Sequence, residues 1–327
     1  MTTSITKVKT NVYPKTAVKY KKMTFKKAIK KYYGFYLMLL LPLIHYVVFA
    51  YVPMVGNILA FRKFSYESTF SMVFGSEWVG GYYFKQFLTS QDFWIKLINT
   101  IVLNVKSLVC SFPAPIIFAL LINELRDGPF KKFVQTSSYL PNFISGVVVA
   151  GMIFSVLSPN GGVINSIRAF MGLSKIHFII EPNWFHSIYI VSGIWQGMGW
   201  SAILYIAALS GIDMELYEAA MLDGAGRLRQ TWHITLPGIA PTIVISLILS
   251  VGSLLGSNTE KIILLMNDLN MEKADVIGSY VFRVGLWGNS PNYSFATAIG
   301  LFNAVIGFVL VYGANRISGK ISETSLW

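Results

Sequence analysis

Residues Ser210 to Pro241 read SGIDMELYEAAMLDGAGRLRQTWHITLPGIAP, and they form the one long piece between two apolar runs with the pattern of water-exposed helices. Asp213 is placed to cap a helix through its carboxylate, and Glu215 and Glu218 fall in the first turns, where the positive end of the dipole favours them. A helix is therefore expected to start near Met214. Leu216, Ala219, Ala220 and Asp223 recur at helical spacing on one face, and two alanines leave that face flat enough for another protein's backbone to approach. Gly224 and Gly226 end this helix, a second short helix is expected from Arg227 to His233, and Pro237 is expected to stop it before the next apolar run. The unit reads as helix, glycine turn, helix, and it faces water.

The rest of the chain is membrane protein. Its 327 residues are 54% hydrophobic and only 13% charged, with a mean hydropathy of +0.55. A soluble domain does not have that composition. Six apolar runs are long enough to cross a bilayer that needs about 20 helical residues. They lie at Phe35 to Ile58, Leu97 to Ile122, Ser138 to Leu157, Ser187 to Leu209, Ala240 to Ser257 and Phe295 to Ala314. The expected architecture is all-α and polytopic, with six transmembrane helices.

Six spans put both termini on one side. Ten of the 27 lysines and arginines precede Gly34, and seventeen in all fall on the side of the N-terminus against nine on the other. That bias predicts cytosolic termini and a cytosolic Ser210 loop. The lysine-rich residues 1–33 read as a cytosolic tail, solvated or folded into an interfacial helix near Phe25 to Ile29, in contact with anionic lipid. No folded reading element accompanies the charge, so nucleic acid is not an expected partner. The connections Phe61 to Lys96, Ser158 to His186 and Asn258 to Tyr293 fall outside; their Trp, Tyr and Gly residues, as in Trp78 to Tyr83, suggest interfacial segments with an aromatic belt. Within the last, Ile262 to Met266 is too short to cross and reads as a re-entrant or surface helix. Pro113 and Pro115 kink the second span, as a packing bend or as a hinge.

With spans on both sides, Glu218-Ala219-Ala220, then Asp223-Gly224, then Ile234, Leu236 and Pro237, resemble the EAA loop of type I ABC importer permeases. Met214 departs from the proline common there. The resemblance implies the fold of that family and a coupling helix seated in a cleft of a separate ATPase. Further stretches resemble the subgroup serving oligosaccharides and polysaccharide fragments: Asn99-Thr100, Tyr139 to Ser145, Tyr280 to Leu286, and Ala314-Asn315-Arg316 with Trp327. It also implies the partners: a second permease, forming a heterodimer, two ATPase copies holding ATP and Mg, and an extracellular solute-binding protein in a bacterial plasma membrane. The domains expected are the tail 1–33, the first span and outer loop 34–96, the transmembrane core 97–316 with its coupling loop 210–241, and a C-terminal tail 317–327.

Catalytic signatures are missing. There is no GxxxxGK[ST] loop and no HExxH, and His45, His177, His186 and His233 lie in separate segments. Cys110 stands alone, which leaves no disulfide framework and no thiol-ligated metal. The chain is expected to bind no cofactor and to be no enzyme. An enzyme acting on lipid-linked sugar would need convergent acids or metal ligands, and a secondary transporter would favour a carboxylate at mid-membrane; the spans offer neither.

A solute path needs polar groups at depth. Ser246, Ser250, Ser253 and Ser257, at i, i+4, i+7 and i+11, make one stripe of the fifth span, followed by Asn258. The stripe serves either sugar hydroxyls or close helix packing. Trp195, Gln196, Gly197 and Met198 offer an aromatic and glycine lining to stack on a pyranose, or ordinary core. Lys106, inside the second span, faces a cavity or a partner's acid, or else snorkels to the outer interface, and the first is preferred.

Overall fold

The computed structural model describes residues 25–63, 73–252, 255–256, 258–287 and 291–321. Most of the lysine-rich tail, Ser253, Ser257 and Trp327 lie outside them. Backbone contacts divide the chain into Met1–Gly56 and Asn57–Trp327. Among the described residues there is no strand, only an isolated antiparallel bridge between Arg62 and Trp78.

Five helices are long and apolar enough to cross a membrane: Ile29–Phe61, Gln91–Asn123, Pro182–Leu209, Arg227–Gly252 and Tyr293–Ile317. The sixth span is a bent pair, Pro129–Phe143 with Gly146–Leu157, turning through 103°. The sequence reading of one straight helix from Ser138 to Leu157 is therefore corrected. Pro141 lies in a 3-10 turn, Ile144 is extended, and the Ser145 hydroxyl caps the second half by accepting from Val148 N–H at 3.4 Å. The bend is held from the fourth span, where Gln196 Nε2 donates to the Ile144 carbonyl at 3.0 Å. That fourth span crosses the first half of the bent pair closely enough that a Cβ at Gly199 would lie 2.1 Å from the Ser138 carbonyl oxygen. Only glycine permits this approach.

The fifth span corrects a second expectation. Pro237 does not end a short helix; Arg227 to Gly252 is one continuous span. It passes through a π-turn, Thr231–Thr235, closed by Leu236 N–H donating to Thr231 O. The first span has the same device at Val47–Tyr51, and in both a proline, Pro53 or Pro237, stands two residues beyond. A proline supplies no N–H to the carbonyl four residues back and crowds it, and the wider turn carries that carbonyl away. In the second span the prolines act more mildly: Phe112 keeps helical angles and its N–H bonds Leu108 O at 3.0 Å, so Pro113 simply opens a second helix to Asn123.

Two cores stack along the second unit. The lower joins Ile116, Ala119, Ala202, Tyr205, Leu209 and Ile239, where small Ala119 and Ala202 let the second and fourth spans touch. The upper joins Leu103, Phe185, Tyr189 and Ile190 to Ile262, Leu265, Ala274 and Val276. The residues from Ile262 onward belong to the connection 258–293, read from sequence as interfacial with a re-entrant or surface helix at Ile262 to Met266. A helix does form there, Thr259–Leu265, followed by Met271–Ala274 and Ile277–Leu286, and the connection is partly core. Its Asp275 is fully buried and paired with Lys96 at 2.8 Å and with Arg283. Asn99 donates to the Glu272 and Asp275 carbonyls, and the Thr100 hydroxyl accepts from Ile277 N–H at 2.9 Å. Thus Asn99-Thr100 grips the stretch just before the run from Tyr280, and Arg283 of that run pairs with the same Asp275. The aromatic run near Trp78 divides: Trp78 and Tyr82 are exposed, while Tyr83 and Phe87 enter a ring cluster with Phe93 and Phe295.

Candidate functional site

The first helix and glycine turn of the 210–241 segment form as the sequence predicts. Glu215 N–H donates to Asp213 Oδ1 at 3.0 Å and opens the helix Met214–Leu222. It closes in a Schellman motif, with Ala225 N–H on Ala220 O at 2.8 Å and Gly224 N–H on Met221 O at 3.0 Å. The motif needs a left-handed residue, and Gly224 supplies it with φ +76°. Two side-chain bonds tie this hairpin to the fifth span: Tyr217 Oη to Thr235 Oγ1 at 3.0 Å, and Gln230 Nε2 to Ala225 O at 2.8 Å.

Glu218, Ala219, Asp223, Gly224 and Pro237 are exposed, and Ala220, Ile234 and Leu236 half-buried. Around them stand Met214, Leu216, Met221, Leu228 and Trp232, all exposed, with Leu222 90% exposed. Sequence reading found the flat alanines and passed over this uncovered apolar rim. Glu124 pairs with Arg227 at 3.4 Å and Asp127 with Lys131 at 2.9 Å. The hydrogen bond and charge of Lys131 hold the Asp127 carboxyl below its ordinary pKa.

Deeper in the bundle lies a cavity of about 580 Å³. The second span contributes Asn104, Ser107 and Ser111 to its wall, the fourth Tyr189, Trp200, Ser201 and Tyr205, and the fifth Ser246 and Ser250. Asn258 completes it beyond the fifth span. Of the residues expected on a solute path, Ser246, Ser250 and Asn258 are brought together here. The Ser250 hydroxyl donates to Ser246 O at 2.8 Å, and Tyr189 Oη accepts from Asn258 N–H at 3.2 Å.

Trp195, Gln196, Gly197 and Met198 do not line this cavity. Trp195 lies in a separate apolar hollow of about 560 Å³ beside Val149 and Ile153, and Gln196 is engaged at the bend of the third span. Their direction around the helix was not readable from an apolar sequence. Lys106 is also outside the wall, exposed on the chain's surface with Nζ 3.4 Å from His186 Nδ1. The residues missed on the second span carried a signal, since Asn104, Ser107 and Ser111 stand at i, i+3 and i+7 in an apolar run.

Among the described residues no Asp, Glu, Lys or Arg lines the cavity. Hydroxyls and amides beside Trp200 can hydrogen-bond a polyhydroxyl solute and stack on an apolar ring face, and they offer no nucleophile–base pair.

Residues 111–321 match the family described as binding-protein-dependent transport system inner membrane component. The polygalacturonan/rhamnogalacturonan transport system permease protein YteP of Bacillus subtilis (strain 168) is 43% identical over 309 residues, 94% of each chain. Protein LplB of the same organism is 40% identical, over 92% of this chain and 93% of its own. Among solved structures, a bacterial ABC transporter involved in the import of the acidic polysaccharide alginate superposes with a TM-score of 0.82. It is 41% identical and covers 91% of this chain and 99% of its own. The chain therefore belongs to the binding-protein-dependent inner-membrane components, and is a multi-pass plasma-membrane permease subunit of a type I ABC importer rather than an enzyme.

Proposed function

We propose that this permease carries oligosaccharides or polysaccharide fragments through the cavity at Ser107, Ser246 and Trp200, driven by ATP that partner subunits hydrolyse. One observation carries the reading: a single uninterrupted helix, Arg227–Gly252, holds the coupling hairpin at one end and the cavity serines Ser246 and Ser250 near the other. A push on the hairpin is a push on the cavity wall. A wall of neutral donors and acceptors suits sugar hydroxyls, and the names of the similar permease from Bacillus subtilis and of the alginate importer point to the same solute class.

The partners in this proposal are a second, different permease, two ATPase copies holding ATP and Mg, and an extracellular solute-binding protein. The alginate importer has also been solved with a pentasaccharide-bound periplasmic protein, which supports the last of these. Glu218, Ala219, Ala220, Asp223 and Gly224 meet the ATPase, ringed by the exposed Leu222, Leu228 and Trp232. The hairpin and both termini are cytosolic, following the excess of basic residues on that side. ATP-driven closure of the ATPase pair turns the second to sixth spans outward, and the binding protein releases its saccharide into the cavity.

The test is to express the chain with its partner subunits, purify the complex in detergent and measure ATPase activity with saccharide-loaded and empty binding protein. Stimulation by a loaded binding protein is expected. A chain that purifies alone, or a complex insensitive to every saccharide-loaded binding protein, overturns the reading.

A further inference from the structure

Beside the cavity lies a buried lysine that no carboxylate among the described residues neutralises. Lys261, in the helix Thr259–Leu265, is only 6% exposed, and no carboxylate of the described residues lies within 4 Å of its Nζ. The neighbouring Glu260 makes no ion pair with it and lies against the third span, its Oε1 2.9 Å from where a Cβ at Gly146 would stand. The other buried lysine, Lys96, is matched by Asp275 at 2.8 Å. A cation withdrawn from water without a counter-charge is a burden on the fold, and such groups mark functional sites.

The ammonium packs against the fourth span next to a cavity residue. It stands 5.3 Å from the centre of the Tyr189 ring, and 3.5 Å from where a Cβ at Gly193 would be. Tyr189, Gly193, Trp200 and Leu204 follow one another at i, i+4, i+11 and i+15, a single helical stripe. Tyr189, Trp200 and Leu204 line the cavity, and the Lys261 ammonium lies at contact distance from the Gly193 position on that stripe. The helix bearing Lys261 is anchored to the same wall, since its cap Asn258 accepts from Lys261 N–H at 3.1 Å and is itself a cavity residue. No carboxylate in the wall opposes an incoming anion.

We propose that Lys261 is the charge-selecting residue of this permease, receiving the carboxylate of an acidic, uronate-containing oligosaccharide while the serines and Asn104 hold its hydroxyls. The assignment rests on the saccharide reading above and deepens it. The Tyr189 ring face steadies the free ammonium, and the passing carboxylate forms the charge-assisted hydrogen bond that the fold withholds. Because the contact is single and lies beside the path rather than across it, the saccharide is held briefly and released.

The experiment uses the whole transporter, with partner permease, ATPases and binding protein, in proteoliposomes. Uptake of trigalacturonate and of neutral galactotriose is measured together with ATP hydrolysis, for wild type, Lys261→Met and Lys261→Arg. Methionine keeps the length of the side chain and removes the charge, so folding is preserved. Trigalacturonate carried per ATP hydrolysed is expected to fall about tenfold in Lys261→Met and to recover in Lys261→Arg. An unchanged ratio in Lys261→Met overturns the assignment. So does loss of the partner permease from the purified Lys261→Met complex, which would make the missing counter-charge a partner's acid. Wild type that carries galactotriose but not trigalacturonate overturns Lys261 alone, and wild type that carries neither overturns the saccharide reading with it.

Discussion

Two connections flank the fifth span, and they are built on opposite principles. The one that follows it, 258–293, satisfies itself: Asp275 finds Lys96, Arg283 and Ser279, and apolar Ile262 and Val276 are fully buried. The one that precedes it, the hairpin around Gly224, leaves Leu222, Leu228 and Trp232 in the open. One is held by its own chain, the other waits for a partner. A region with internal polar closure fixes geometry, whereas a region with uncovered apolar surface transmits a force from outside.

The comparison breaks most visibly at Asp275. Asp275→Ala removes the carboxylate shared by Lys96 and Arg283 and leaves Lys96 only the longer pair with Asp92 at 3.8 Å, at a cost of about 3–5 kcal/mol for a broken buried pair. Little folded subunit is expected in the membrane, as read by yield and by monodispersity in detergent; normal yield would mean that the connection 258–293 is not a structural clasp. The hairpin should behave otherwise. Gly224→Pro and Glu218→Lys are expected to leave an assembled complex that hydrolyses ATP yet has lost uptake by about tenfold or more. Uptake at wild-type level in both would remove the coupling role. Between the two regions, Ser107→Ala with Ser246→Ala should lower uptake about fivefold through two lost hydrogen bonds of about 0.5 kcal/mol each, without changing yield; an unaltered rate would move the solute path elsewhere. The smallest effect is expected from Tyr217→Phe, which loosens the hairpin from Thr235 by about 1 kcal/mol. Hydrogen exchange of the helix Met214–Leu222 should rise while uptake changes little.

The sequence reveals the hairpin almost completely because its signals are local: a carboxylate cap, a glycine that must be left-handed, and charges in the first turn. The spans are legible through length and apolarity, but those properties carry no direction. In the fourth span the apolar residues run all round, so Gln196 and Trp195 could be placed at a depth and not on a face. The second span had a polar stripe that the serine argument for the fifth span, applied there, would have found. The burial of the connection 258–293 was not legible because Asp275, Lys96 and Arg283 look like water-seeking residues when taken singly. Their mutual neutralisation depends on contacts across about 180 residues of chain. Pro237 misled for a related reason: the expected stop is relieved by a wide turn that no residue type announces.

That wide turn has a consequence for how this gene can change. A π-turn is an α-helix carrying one surplus residue. Elsewhere in the span, losing one residue would swing everything beyond it by about 100° and carry Ser246 and Ser250 off the cavity wall. Losing one between Thr231 and Thr235 would only spend the surplus, leaving the hairpin and the serines in phase and Pro237 to absorb the strain as a kink. The segment is the one stretch of the fifth span where the reading length can shorten without turning the machine.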